Sequence, residues 1–361
     1  MIPKYNKVHL KFKLNGVNYR QDDIREIAYS FIKEGEPYEQ AVGDFLLDWL
    51  DSKDFIKVKS TGTTGRAKLI KLAKQAMVNS SVFTGNFFNL APSDKALHCL
   101  PANFIAGKMM LVRAMILGLE IDLIEPRSNP IFNVNKPYDF CAMLPIQLQN
   151  SLDRIGNFKN IIIGSAKASN ELIEAIKDFP THIYETFGMT ETATHIALRA
   201  LNNFDKEVNQ SSLGKSVFKT LLDVSVSQDE RGCLVINSPH LSSKPISTND
   251  IVKLHSDTEF EWLGRYDNVI NSGGVKIFPE NVEEKLFEKM DCKFFIASEK
   301  DERLGERVVM VIESDSNDLD PSVFDVLDKY EKPKHIYAVK KFDLNQEKIQ
   351  RKKILSRLGI N

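Results

Sequence analysis

One short run constrains this chain more than any other: Ser60-Thr61-Gly62-Thr63-Thr64-Gly65, with Lys68 three residues on. It stands between Phe55-Ile56-Lys57-Val58 and Lys68-Leu69-Ile70-Lys71-Leu72, both of which read as β-strands. Hydroxyls and glycines in this density suit a polyphosphate. Glycine permits a close backbone approach and positive φ. Exposed N–H groups and hydroxyls then donate to phosphate oxygens, and a lysine balances their charge. A plain Gly/Thr surface turn has the same composition. The usual P-loop is excluded by spacing. Counted from Gly62, the place of Gly-Lys-Ser/Thr is taken by Ala67-Lys68-Leu69, and no long helix pattern begins there.

The rest of the sequence alternates strand-like and helix-like segments, the signature of an α/β protein. The pattern predicts helices over Tyr38–Leu50, near Lys74–Phe88 and over Lys108–Leu117. It predicts strands at Ala96–Leu100, Glu120–Ile124, Ile161–Ile163 and His182–Tyr184. Ser169 or Asn170 is placed to cap a helix. Beyond residue 220 the texture turns β-rich, at Asp223–Ser227, Gly232–Ile236 and Asp250–His255. A boundary falls at Leu263–Asp267. The remainder reads as a small α+β unit with helices at Pro279–Met290 and Pro321–Tyr330, strands at Phe294–Ala297, Val308–Glu313 and Ile336–Val339, and a basic terminal helix. The predicted organisation is therefore residues 1–264 as a large domain and 265–361 as a small one.

Composition sets outer limits. A length of 361 residues allows two domains with real cores. A net charge of −1 supplies no field for nucleic acid or an anionic membrane. Cys99, Cys141, Cys233 and Cys292 are scattered and form no CxxC pair, so reduced thiols in a cytoplasm are expected rather than zinc or disulfides. No signal peptide is expected at the N-terminus. The apolar stretch Met109–Ile124 is broken by Arg113, Glu120 and Asp122, so no membrane span is expected.

Four further constellations could carry chemistry. Tyr184–Thr192 reads as a strand running into a polar turn with Phe187, Gly188, Thr190 and Glu191. An aromatic face can stack on a purine, a threonine can bind phosphate and a carboxylate can hold Mg²⁺. A strand-to-turn crossing with Glu191 in solvent explains the same residues. Ser247-Thr248-Asn249-Asp250 and Gly264-Arg265-Tyr266-Asp267 offer a carboxylate and a guanidinium for a ribose, or two surface turns. Gly273-Gly274 permits close approach to a ligand, or simply a turn. Lys348 is one of several basic residues near the C-terminus.

Taken in order, these segments resemble the adenylate-forming superfamily of acyl-CoA synthetases, adenylation domains and luciferases. Ser60–Lys68 is similar to its phosphate loop, and Phe187–Glu191 to its aromatic-Gly-x-Thr-Glu motif. Thr248-Asn249-Asp250 is similar to Thr-Gly-Asp. Gly264–Gly274 is similar to Gly-Arg-x-Asp-x-x-Ile-x-x-Gly-Gly, and Pro279–Glu283 to Pro-x-x-hydrophobic-Glu. Within the superfamily, Leu100–Gly107 with Arg113 and Gly118 most resembles the o-succinylbenzoate–CoA ligases of menaquinone biosynthesis. The chain departs from the pattern at Phe104, where a histidine is usual, at Asn249 and Glu347, each in place of a glycine, and at Ala67-Lys68-Leu69.

The resemblance implies a large N-terminal domain of mixed sheets with packed helices, a reduced N-terminus and a small mobile α+β C-terminal domain. It implies ATP and Mg²⁺, with CoA as co-substrate and a small carboxylic acid as substrate. The acid would attack the α-phosphate to give acyl-AMP, and CoA would then displace AMP. Ser60, Thr61, Gly62, Thr63, Thr64, Gly65 and Lys68 would hold phosphates. Gly164-Ser165-Ala166 and Phe187 with Gly188 would hold adenine, and Asp250 and Arg265 the ribose. Thr190 would bind the α-phosphate, Glu191 would hold Mg²⁺, and Lys348 would be the catalytic cation. Asp267 would be the hinge, and Gly273-Gly274 would line the CoA path after domain rotation. Lys108, Arg113 and His195 are candidates for binding the acid. Other aryl or fatty acyl-CoA ligases, carrier-protein adenylation enzymes and a catalytically silent nucleotide-binding module remain open alternatives, as does a homodimer.

Overall fold

The computed structural model describes residues 2–59, 69–203, 217–287, 289–345 and 348–360, with backbone alone for Asn345 and Lys348. The predicted phosphate loop, Ser60–Lys68, lies outside the described residues, as does Glu347. The chain divides into two compact units. The first comprises Met1–Ser227, Ile236–Ile246 and His255–Phe260; the second comprises Gln228–Val235, Ser247–Leu254 and Glu261–Asn361.

In the first unit the elements run β1 (Lys13–Leu14), β2 (Val17–Asn18), α1 (Asp23–Glu34), α2 (Pro37–Leu50), β3 (Phe55–Lys59), β4 (Leu69–Ala73), α3 (Lys74–Phe88), β5 (Lys95–His98), α4 (Ile105–Leu117) and β6 (Glu120–Leu123). They continue with β7 (Tyr138–Met143), α5 (Pro145–Gln149), β8 (Phe158–Ile163), α6 (Asn170–Ile176), β9 (His182–Gly188), β10 (His195–Ala200) and β11 (Val217–Thr220). Nine of these strands line up as β11-β10-β9-β8-β7-β5-β6-β1-β2. From β6 to β9 the pairs are parallel; β10 pairs with β9, and β11 with β10, antiparallel.

Apolar runs explain the parallel centre. Ile161, Ile162 and Ile163 of β8 and Ala96 and Leu97 of β5 are all buried, as strands covered on both faces must be. Helix α4 is apolar nearly all round and buried from Met109 to Ile116. Small residues bring α3 against it: a Cβ on Gly85 would lie 2.9 Å from Leu117. Helices α3 and α4 end on Asn89 and Gly118, both left-handed, the usual way to stop a helix. Ser169 caps α6 by accepting from the Leu172 N–H at 3.1 Å.

The two strands expected around the hydroxyl-rich segment are present as β3 and β4, and they pair with each other antiparallel, from Phe55↔Ala73 to Lys59↔Leu69. The hydroxyl-rich segment therefore connects two antiparallel strands, as its flanks predicted.

The division between units runs through a ribbon of β12 (Ser225–Gln228), β13 (Cys233–Asn237), β14 (Ile246–Leu254) and β15 (Glu259–Arg265), adjacent in that order. The second unit continues with β16 (Ile270–Ser272), β17 (Val275–Ile277), α7 (Pro279–Phe287), β18 (Phe294–Asp301), β19 (Gly305–Glu313), β20 (His335–Val339), the short pair β21 (Leu344–Asn345) and β22 (Lys348–Ile349), and α8 (Arg351–Arg357). Strand β19 is central, antiparallel to β16 and β18 and parallel to β20. Val282 and Leu286 of α7 pack on one side of this sheet with Ile296, Met310 and Ile312. Phe295, Val309, Val311, Phe342 and Ile354 of α8 pack together in a second cluster.

One predicted helix is absent. Pro321–Tyr330 holds only a 3-10 stretch, Pro321–Val326, started by Asp320 accepting from the Ser322 N–H. The chain leaves it extended at Leu327, which buries its side chain in the first of those clusters. Leu319, Val323 and Phe324 pack against the same cluster, and this packing outweighs the weak helical preference of Val323 and Val326.

Candidate active site

Strand β9 organises the first unit's site. The strand persists through Glu185, Thr186 and Phe187 to Gly188, so the predicted polar turn starts only at Met189. The alternation sends Glu185 inward, where it is 4% exposed. Its Oε1 accepts from the Ala168 N–H at 2.9 Å, and its Oε2 pairs with Nε of Arg199 on β10. Arg199 lies over the Phe218 ring at 5.3 Å. Phe218 stacks on Phe260, and Phe187 meets both rings, at 5.7 and 5.1 Å. One buried ion pair thus braces the loop that carries Gly164-Ser165-Ala166 and the aromatic trio that carries Phe187.

That loop leaves the end of β8. Ser165 and Ala166 are exposed, and Ser165 sits at φ 70°, a region that side-chain-bearing residues avoid and that clusters at functional sites. Thr186 donates to the Ile163 carbonyl at 3.0 Å. A Cβ on Gly164 would come within 2.4 Å of that same hydroxyl, so only glycine fits there.

Beyond β9 the chain makes one 3-10 turn, Thr190–Thr192. The buried Thr192 hydroxyl locks it, accepting from the Met189 N–H at 3.0 Å and donating to the Thr194 carbonyl at 2.6 Å. Glu191 stands exposed at its centre and Thr190 is half-buried. Gly188 packs against the Thr194 carbonyl and His195 backbone, where an added Cβ would come within 2.4 Å. No three His, Cys, Asp or Glu side chains gather as a metal cage among the described residues.

Two of the three acid-binding candidates come together behind this turn. Arg113, on α4, is 1% exposed. Its Nη2 donates to Thr194 Oγ1 at 3.1 Å and its guanidinium lies 5.9 Å from the Phe140 ring centroid. No carboxylate pairs with it among the described residues, and Nε is buried without a hydrogen-bond partner. Burial pushes its pKa down to about 9, so it stays cationic at neutral pH. His195 Nδ1 lies 3.3 Å from Thr194 Oγ1, and its Nε2 lies 3.3 Å from Thr84 Oγ1. Burial, with Arg113 adding to it, holds His195 well below the ordinary histidine range, so it is neutral. Lys108 turns elsewhere, with its ammonium 4.8 Å from the Phe45 ring of α2.

In the second unit Asp250 is 9% exposed. Its Oδ1 accepts from Trp262 Nε1 at 3.1 Å, and Arg265 Nη1 lies 3.4 Å from both carboxylate oxygens. Arg265 also approaches Asp267 at 3.6 Å. Asn249, which replaces a family glycine, donates to Asp267 at 3.3 Å and accepts from Arg231 at 2.9 Å. Gly273 and Gly274 form the two-residue loop between paired Ser272 and Val275, both at positive φ (59° and 84°). That is the backbone of a type I′ hairpin turn, which by itself demands glycine. Lys348 begins β22, its backbone paired with Asn345.

Sequence reading missed Glu185, Arg199, Thr194 and Trp262. Each acts through a cross-strand or tertiary partner that no local spacing announces.

These features define an AMP-binding α/β enzyme scaffold. Residues 60–244 match the family of AMP-binding enzymes, and the chain belongs to that family. A solved acyl-CoA synthetase (AMP-forming)/AMP-acid ligase II-like protein from Dyadobacter fermentans is 31% identical, with 92% of this chain and 98% of that chain covered, at a TM-score of 0.60. Among curated relatives, the 2-succinylbenzoate–CoA ligase of Bacillus cytotoxicus is 24% identical over 326 residues, 81% of this chain and 67% of that protein. The o-succinylbenzoate CoA synthetase of Bacillus subtilis, solved with the acyl-adenylate intermediate OSB-AMP, shares the fold at a TM-score of 0.70 and 19% identity, over 82% of this chain and 68% of that one. The chain spans between about half and three quarters of the curated relatives it matches, from 53% in the case of Bacillus anthracis to 72% in that of Lactococcus lactis. The superfamily read from the ordered motifs is thereby borne out. No helix among the described residues is long and apolar enough to cross a membrane.

Proposed function

We propose that this chain is an ATP-dependent acid–CoA ligase that works through an acyl-adenylate, and that its acid is o-succinylbenzoate. One observation carries the choice of acid. Arg113 is a fully buried cation with no carboxylate partner among the described residues and an unpartnered Nε. A buried charge left uncompensated is costly, and a second carboxylate on the substrate supplies the missing partner. Neutral His195 and Thr194 flank it and can hydrogen-bond that carboxylate without repelling it. The named relatives support the same acid.

In this reading the chain's residues position and neutralise charge rather than form bonds themselves. Ser60–Gly65 and Lys68 hold the β- and γ-phosphates. Phe187 and the Gly164-Ser165-Ala166 loop take the two faces of adenine. Glu191 would hold Mg²⁺, which would neutralise phosphate charge. Asp250, already held by Arg265 and Trp262, accepts from the ribose hydroxyls. Thr190 donates to the α-phosphate, and Lys348 stabilises the charge that develops as the carboxylate attacks. Asp267 is the hinge, and Gly273-Gly274 lines the approach of CoA. The reaction is placed in the cytoplasm, where ATP and CoA are supplied.

The test is ATP–pyrophosphate exchange over a panel of acids, followed by addition of CoA. Exchange that depends on o-succinylbenzoate, with thioester formed on CoA addition, is the expected result. Preference for a monocarboxylate overturns the choice of acid, and transfer only to a phosphopantetheinyl protein overturns CoA. No exchange with any acid leaves a silent nucleotide-binding module.

A further inference from the structure

The pair β21–β22 that presents Lys348 is only a two-strand ribbon, with Asn345 paired to Lys348 and Leu344 to Ile349. Two strands alone are marginally stable, so something must fix its direction. Its base is closed by the Gln350 N–H donating to the Asp343 carbonyl at 2.8 Å. On the entering side, the Phe342 N–H donates to Glu313 at 2.7 Å. On the leaving side, Asp343 pairs with Lys353 and Arg357 of α8, and Arg351 pairs with Glu283 of α7. The lysine and arginine at Asp343 are largely exposed, and exposed pairs contribute little.

The Glu283–Arg351 pair is different in kind. The Glu283 side chain keeps only 18% exposure, and burial pushes its pKa up against the pull of Arg351. Its Oε2 accepts from Arg351 Nη2 at 2.7 Å, and its Oε1 accepts from the Ile296 N–H at 2.7 Å. It therefore ties α7, β18 and the first residue of α8 together. The Arg351 guanidinium also lies 5.5 Å from the Phe295 ring centroid. Glu283 sits beside Val282, which is fully buried against the sheet, so its own base is rigid. A shielded ion pair is a poor source of stability and a good means of selecting one geometry.

Arg351 follows Lys348 by three residues, at most about 10 Å of chain. We propose that the Glu283–Arg351 pair is a positioning device that sets the direction of the Lys348 ribbon for the adenylation step. The inference rests on the reading of Lys348 as the catalytic cation.

The test compares two half-reactions in the full chain, ATP–pyrophosphate exchange and thioester formation from supplied acyl-adenylate. Variants are Arg351→Ala, Glu283→Gln, Arg351→Lys and Lys348→Ala. Misplacing a catalytic group by about 1 Å can cost about 10²-fold. R351A and E283Q should each lower the exchange kcat by about 10- to 10²-fold, with KM for ATP and acid within about two-fold. Thioester formation should stay near wild type, and R351K should recover part of the exchange. E283Q keeps an acceptor for the Ile296 N–H and so guards against simple misfolding of R351A. Equal loss of both half-reactions, or no loss of exchange, overturns the positioning role. Wild-type exchange by K348A overturns the catalytic reading, and this inference with it. Loss in K348A with full activity in R351A and E283Q overturns the inference alone.

Discussion

Replacing Arg113 with methionine should stabilise the protein while destroying its use of a dicarboxylic acid. The guanidinium is 1% exposed, and burial lowers its pKa from the ordinary arginine range to about 9. A lowered pKa means that the unfolded chain holds the proton more tightly than the folded one. The charge therefore works against folding at every pH below about 9. A gap of at least about 3 pH units, at about 1.4 kcal/mol each, sets the cost of the buried charge near 4 kcal/mol. The hydrogen bond to Thr194 and the Phe140 ring return part of this, and Arg113→Met forfeits both. A net gain of about 2 kcal/mol remains, in the range seen when buried ions give way to apolar side chains. For a unit of this size that raises Tm by about 4–8 °C. The same variant should lose at least about 10²-fold in kcat/KM for o-succinylbenzoate, because a buried charge partner has been removed. Its kcat/KM for a matched monocarboxylate should change little. Ligand-free thermal unfolding and exchange kinetics with the two acids check both halves. A destabilised variant that loses both acids equally would refute the argument, since Arg113 would then be a packing residue.

The other predictions concern the Gly164–Ala166 loop, the Glu185–Arg199 pair and the buried His98. Gly164→Ala puts a methyl within 2.4 Å of the Thr186 hydroxyl. It should raise KM for ATP several-fold, and the double variant with Thr186→Ala should recover most of that loss; no recovery would mean the clash is elsewhere. Glu185→Gln weakens the brace to Arg199 while keeping an acceptor for the Ala168 N–H, so it should cost about 2 kcal/mol or more of folding stability by denaturant unfolding. An unchanged midpoint would show the pair to be dispensable. His98 is 1% exposed and burial holds its pKa at about 4. The unfolded chain takes up that proton near pH 6.5 and the folded one does not, so stability falls as pH drops from about 6.5 to 4, by about 3 kcal/mol from this residue. His98→Gln should flatten the slope of stability against pH in that window, and a slope equal to wild type would contradict the assignment.

Much of the frame was legible because it rests on local signals. Helices α3 and α4 fall where the sequence pattern predicts them, near Lys74–Phe88 and over Lys108–Leu117, and β3 and β4 fall on the strand runs flanking the hydroxyl-rich segment. The family was legible for the same reason, because the segments that resemble its motifs are contiguous in sequence. What stayed hidden depends on pairing across distance. Nothing near Glu185 says that β10 returns antiparallel and sets Arg199 opposite it. Nothing near Lys108 and Arg113, five residues apart on one helix, says that one meets Phe45 and the other Thr194. The predicted helix at Pro321 failed because Leu319, Val323, Phe324 and Leu327 all pack on one cluster, which a 3-10 stretch leading into an extended Leu327 satisfies.

The account turns on a carboxylate being activated as its adenylate, with Arg113 selecting the acid. The most direct measurement is to mix the protein with ATP, Mg²⁺ and o-succinylbenzoate without CoA, quench, and identify the bound product by mass spectrometry. Acyl-adenylate near one equivalent per chain, absent with Arg113→Met and consumed on adding CoA, is the predicted result. ATP recovered intact beside every acid tried would contradict the account.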